Sequence, residues 1–126
     1  MAVTPHDLVV EAKAQIKEVS TAEAQSLMTK YTIIDVREYN EFAAGHLPGA
    51  INIPRGVLEF QIGTIADCAD KAKPYLIYCR TSGRAALSTV QLQRIGYSNL
   101  ISMLGGFEAW SKETRPVEMP APISFD

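Results

Sequence analysis

Residues 75–97 read YLIYCRTSGRAALSTVQLQRIGY. The first four residues, preceded by Pro74, are strand formers with no charge among them. That composition predicts a buried strand over 74–78. From Arg84 to Ile95 apolar residues recur at helical spacing, and Gly96 closes the run. Between the two lies CRTSGR, Cys79 to Arg84: a cysteine followed by small residues and bracketed by two arginines. A core filler would not ask for such neighbours.

Working outward, the same alternation recurs. Thr32 to Val36 and Ala50 to Ile53 predict strands, and Asn99 to Met103 a further one. Arg37 to Ala44 predicts a short helix ended by Gly45, and Phe107 to Ser111 another after the Gly105-Gly106 turn. Val57 to Ile65 reads as one or two short helices. Upstream, Ser20 and Glu23 form a capping-box pattern that opens a helix through Leu27 or Met28. Thr4, Pro5 and Asp7 form a helix start, and Leu8, Ala12, Ile16 and Val19 continue it at helical spacing. Strands alternating with helices predict an α/β fold, a parallel sheet with helices on both faces. Residues 1–18 read as a helical extension, 19–112 as the domain, and 113–126 as an extended tail containing prolines.

A chain of 126 residues is one domain's length and can bury a core without staples. Net charge is −2 with the two signs mixed, so no concentrated basic surface for nucleic acid is expected. Charges interrupt the N-terminal segment every few residues, which leaves no signal-peptide core. No apolar run approaches the ~18–20 residues of a membrane span. A cytoplasmic protein with no membrane partner is expected. The two cysteines, Cys68 and Cys79, are too few for a disulfide framework. With no CxxC pair and no HExxH, no metal site is expected either.

The chemistry of CRTSGR follows from its placement. Ligands of parallel α/β sheets bind at the carboxyl ends of strands, and Cys79 lies just past one. A thiol of ordinary pKa ~8.5 is only a few per cent thiolate at neutral pH, so a nucleophilic cysteine needs anion-stabilising surroundings. Three sources are at hand: the free N–H groups of the helix starting near Arg84, a loop short enough to curl its own N–H groups around the sulfur, and the two arginines. Cys68, in IADCAD, has no such context and reads as a packing residue.

With these segments in view, the chain resembles a single-domain rhodanese, of the sulfurtransferase family. IIDVREYNEFAAGHLPGAINIP is similar to the family's first signature, YLIYCRTSGRAALSTVQLQRIGY to its active-site strand, loop and helix, and NLISMLGGFEAW to its closing signature. VSTAEAQSLM is similar to its entry helix. The resemblance implies a five-stranded parallel sheet and no metal or organic cofactor. It implies a sulfur atom taken by Cys79 from a small anionic donor such as thiosulfate, held as a persulfide, and passed to cyanide, a thiol or a protein partner. Arg80, Thr81, Ser82, Gly83 and Arg84 would form the loop that holds the sulfur, with Arg84 helping to bind the donor. One departure is plain: many members carry glycine fourth in the loop, whereas here Ser82 is fourth and Gly83 fifth. Phosphatases of the same fold carry a loop one residue longer. The six-residue span from Cys79 to Arg84 therefore argues against phosphatase or arsenate reductase activity. A non-catalytic binding module is the other alternative, and Cys79 counts against it.

Asp35 and Arg37 end a strand and are candidate residues of the site mouth; bracing of the backbone suits Asp35 better, and Arg37 would attract an anion. His46, in GHLPGA, is expected to serve the turn rather than catalysis, and His6 to be exposed. Gly105-Gly106 reads as a turn that lets Phe107 and Trp110 pack.

Overall fold

The computed structural model describes residues 2–120. Helix α1 (Pro5–Lys13) opens on Thr4 and Asp7, whose side chains each bond the other's backbone N–H in a reciprocal capping box. It stops at Lys13, earlier than the spacing of Ile16 and Val19 suggests. Val19 instead belongs to strand β1 (Glu18–Val19), paired in parallel with the last strand. A strand of two residues has no period of its own, and the sheet edge that it joins overrides the local helical pattern.

Helix α2 (Thr21–Leu27) follows, capped by Ser20 as expected. Strand β2 (Thr32–Asp35) leads into α3 (Tyr39–Ala43), and β3 (Ile51–Asn52) into α4 (Leu58–Gln61). Single 3-10 turns at Arg55–Val57, Ile62–Thr64 and Ala66–Cys68 flank α4. Strand β4 (Tyr75–Tyr78), α5 (Gly83–Arg94), β5 (Leu100–Met103) and α6 (Gly106–Lys112) complete the described elements. Arg37 lies outside the helix that was expected to include it. Its side chain is drawn inward to Asp35, and Glu38 becomes the cap.

The five strands are parallel, in the order β1-β5-β4-β2-β3. β4 and β5 are buried along their whole length, which is why they read as unbroken apolar runs. Alternation along the strands divides the core. Ile34, Ile77 and Cys79 face a layer with Leu58, Ile62, Cys68, Ala85 and Leu92, from α4, α5 and the turns between. Ile33, Leu76, Tyr78 and Ile101 face Ala24 and Trp110, from α2 and α6. Both faces of the sheet are thus covered. Helix α1 lies against α5, where Gln93 Nε2 donates to the Gln15 carbonyl.

The tail does not simply trail on the surface. His46 and Glu118 exchange backbone hydrogen bonds of 2.8 Å, and Trp110 Nε1 donates to the Pro116 carbonyl. Up to Pro120 the tail is a strap across the GHLPGA turn; the rest of the expected extended segment lies outside the described residues. Among the described residues no helix is long and apolar enough to cross a membrane.

Candidate active site: the Cys79 loop

The buried strand β4 delivers Cys79 to the carboxyl edge of the sheet, where its side chain remains in the core, 1% exposed. Within four residues the chain enters α5, whose first N–H groups have no partner inside the helix. One of them reaches the sulfur: Ala85 N–H donates to Cys79 Sγ at 3.2 Å. Ala85 lies one residue beyond the loop that sequence reasoning marked out. The signal was the helix start itself, since the third residue of a helix carries a free N–H.

The loop also hangs from below. Phe107 N–H donates to the Cys79 carbonyl at 2.8 Å and Glu108 N–H to the Arg80 carbonyl at 2.9 Å. The start of α6 thus holds the first two loop carbonyls. Gly106 makes this approach feasible. Its φ is +58°, and an added Cβ would stand 2.4 Å from the Thr81 carbonyl oxygen and 2.5 Å from that of Cys79. The glycine pair does more than turn the chain toward two aromatics; at Gly106 it lets α6 come up against the Cys79 loop.

Glycine in fifth place needs no special backbone. Gly83 is the first residue of α5 without a left-handed φ, and a Cβ there would make only a 3.4 Å contact with Val9 of α1. Thr81 and Ser82 are not left-handed either. The loop therefore closes without a glycine fourth.

Arg84, which the resemblance implies helps to bind the donor, forms a two-pronged pair with Glu41 of α3, at 2.8 and 3.0 Å. Arg84 holds Glu41 well below the usual carboxylate range, at about 2. Arg84 so pins the loop to α3, with its charge largely matched. Arg80 is exposed and meets Glu108 at 3.2 Å, a pair worth little in water.

Asp35 is fully buried, behind the mouth rather than at its rim. It accepts from the Arg37 backbone, from Arg37 Nε and Nη2, and from the Tyr78 hydroxyl at 2.6 Å. Burial, then the Asp35 charge, pushes the Tyr78 phenol far up, so it remains a donor. Arg37 Nη2 also donates to the Gly45 carbonyl, and the guanidinium lies over Phe107, 4.3 Å from the ring centre. Although only 4% exposed, Arg37 lines an open cleft beside the loop. His46 is buried, stacked on Phe42, with Nδ1 on the Phe42 carbonyl; it serves the turn. Cys68 is buried and free, and burial pushes its thiol up. His6 is exposed. Among the described residues no three His, Cys, Asp or Glu side chains gather as metal ligands would.

The chain that carries this site is similar to known proteins. The family described as Rhodanese-like domain matches residues 20–113. The chain belongs to this family. Among its relatives, thiosulfate sulfurtransferase GlpE of Coxiella burnetii is 33% identical over 97 residues, which cover 75% of this chain and 86% of that one. The adenylyltransferase and sulfurtransferase uba4 of Ogataea parapolymorpha is 34% identical over 86 residues. That match takes in 67% of this chain but spans only 21% of the relative. Among solved structures, a Rhodopseudomonas palustris protein of unknown function, whose name adds "Possible Tyrosine Phosphatase", superposes with TM-score 0.83 at 28% identity. The superposition covers 94% of this chain and 96% of that one, so the likeness extends beyond the 20–113 segment. The rhodanese-like fold and its sulfurtransferase relatives make this a sulfurtransferase-like domain.

Proposed function

We propose that the protein is a sulfurtransferase that carries a sulfane sulfur on Cys79. The observation that supports this most directly is the 3.2 Å hydrogen bond from Ala85 N–H to Cys79 Sγ, at a helix start that favours negative charge. Cys79 thiolate attacks the outer sulfur of a donor such as thiosulfate. The S–S bond of the donor breaks, sulfite leaves with the bonding pair, and Cys79 becomes a persulfide. An acceptor nucleophile, cyanide or a thiolate, then attacks the terminal sulfur. The Cys79–S bond to that sulfur breaks and the Cys79 thiolate is restored, so no external oxidant or reductant is needed.

The free N–H groups of Thr81 to Ala85 hold the anionic sulfur, and Arg84 acts by fixing the loop on α3. Arg80, whose surface pair with Glu108 is easily exchanged, draws in the anionic donor. Residues 19–112 perform the reaction, with no metal or organic cofactor, in the cytoplasm. A protein donor or acceptor is compatible with the fusion of such domains to adenylyltransferases, as the name of the Ogataea relative reads.

The phosphatase reading rests on the name of the Rhodopseudomonas neighbour. The six-residue span from Cys79 to Arg84 and the engagement of Arg84 by Glu41 weigh against it. The test is turnover with thiosulfate and cyanide, followed as sulfite and thiocyanate, beside hydrolysis of an aryl phosphate. Thiocyanate formed by wild type and lost in Cys79→Ser is the expected result. Phosphate release without sulfur transfer overturns the reading. A partner bound equally by wild type and Cys79→Ser, with no turnover, would make it a binding module.

A further inference from the structure

The cleft beside the loop is larger than the proposed small substrates require. Its volume is about 580 Å³, within the range of sites for organic molecules, whereas thiosulfate and cyanide have only a few heavy atoms. Phe107 and Ala44 supply apolar surface, and the charged lining comes from Arg37, Glu41, Arg80, Glu108 and Lys112.

The charges are not equivalent. Glu41 is held by a two-pronged bond from Arg84, and the exposed Glu108 and Arg80 face each other with no net charge, so the two carboxylates add no net attraction for an ammonium group. Arg80 meets Glu108 only in that exchangeable surface pair. Lys112 has no ion-pair partner among the described residues. Arg37 is matched by Asp35 on one side only: Nε and Nη2 are bonded, while Nη1 has no protein partner among the described residues and is not sealed from solvent. Asp35, Gly45 and Phe107 hold this guanidinium still. A fixed N–H and an unpaired ammonium lining one cleft suit a carboxylate, the fixed guanidinium losing little side-chain freedom on binding.

From this geometry we infer that the cleft is the acceptor subsite, and that it takes a small organic thiol bearing a carboxylate, bound by Arg37 Nη1 and Lys112. The inference rests on the persulfide reading for its chemistry. The carboxylate anchors the acceptor on the wall of the cleft while its thiolate takes the terminal sulfur from Cys79. Phe107 spans the two regions: its ring lies under Arg37 and its N–H holds the Cys79 carbonyl.

The test uses wild-type protein loaded with sulfur from thiosulfate. Single-turnover transfer is measured to 3-mercaptopropionate, 2-mercaptoethanol and cysteamine, with rates expressed per thiolate. The acid should exceed the neutral thiol and the amine by ~10-fold or more in the second-order rate constant of transfer, the size expected of one charge-assisted contact. Lys112→Glu should erase that preference. Equal rates for acid and neutral thiol overturn the inference. So does an effect of Lys112→Glu confined to loading by thiosulfate, which would assign the cation to the donor.

A second measurement does not depend on transfer. Reduced wild-type protein is titrated with 3-(methylthio)propionate and with 2-(methylthio)ethanol, followed by the NMR signal of Arg37 Nε. Saturable binding of the acid, weakened at least several-fold by Lys112→Glu, is expected. No preference for the acid overturns the subsite even if sulfur transfer is active. If Cys79 never loads, the sulfurtransferase reading falls, and this titration still decides what the cleft binds.

Discussion

Replacing Gly106 by alanine strikes the contact that joins α6 to the Cys79 loop. The new Cβ would stand 2.4 Å from the Thr81 carbonyl oxygen, 2.5 Å from the Cys79 oxygen and 2.6 Å from the Arg80 carbonyl carbon. All three are backbone atoms, so no flexible side chain can yield. The residue would also keep a φ of +58°, which costs a non-glycine residue ~1–2 kcal/mol. Relief requires the loop and helix to separate by about 0.6 Å or more to restore contacts that close-packed atoms accept. That movement stretches the bonds from Phe107 and Glu108 to the Cys79 and Arg80 carbonyls, each worth ~0.5–1.5 kcal/mol. Together the losses are ~2–5 kcal/mol, read as a lower urea midpoint at unchanged slope. Sulfur loading should fall by ~10- to 100-fold, because displacement of a reacting group by a fraction of an ångström to 1 Å has effects of that size. Gly105→Ala is the control. Its Cβ meets a side-chain atom, Ala109 Cβ at 2.6 Å, so stability should drop with a smaller effect on loading. A Gly106→Ala protein that matches wild type in urea midpoint and loading rate would refute the reasoning.

Two further predictions concern charge. Asp35→Asn removes the carboxylate matching Arg37 in the core and should destabilise the fold by ~3–5 kcal/mol in urea unfolding, a loss below ~1 kcal/mol contradicting the pairing. Glu41 has a folded pKa of about 2, below its unfolded value of 4.5, because Arg84 bonds it. Its contribution to stability is therefore complete above pH 4.5 and lost as pH falls toward 2. Solvent around this half-exposed pair limits the effect to ~1 kcal/mol, and Glu41→Gln should flatten the stability–pH curve in that window alone.

Much of the fold was readable in the chain because β2, β4, β5 and α5 carry their own signals. Tyr75 to Tyr78 and Leu100 to Met103 are buried on both faces and so are apolar throughout. The capping residues Thr4 and Ser20 mark their helix starts locally. What was not readable depends on partners distant in sequence. Val19 is a strand only because β5 lies beside it. Arg84 is paired with Glu41, 43 residues away, and no local pattern reports such a pair. The role of Gly106 needs the Thr81 and Cys79 carbonyls above it. The tail becomes a strap only where Glu118 finds the backbone of His46. The placement of Cys79 was legible because strand end, small loop and helix start are consecutive.

The most direct test is the intact mass of reduced protein after incubation with thiosulfate and removal of excess donor, in wild type, Cys79→Ser and Cys68→Ser. The expected result is a gain of one sulfur atom in wild type and Cys68→Ser, and none in Cys79→Ser. A gain that persists in Cys79→Ser, or its absence from wild type with both thiosulfate and a persulfide donor, would contradict the assignment of the sulfur to Cys79.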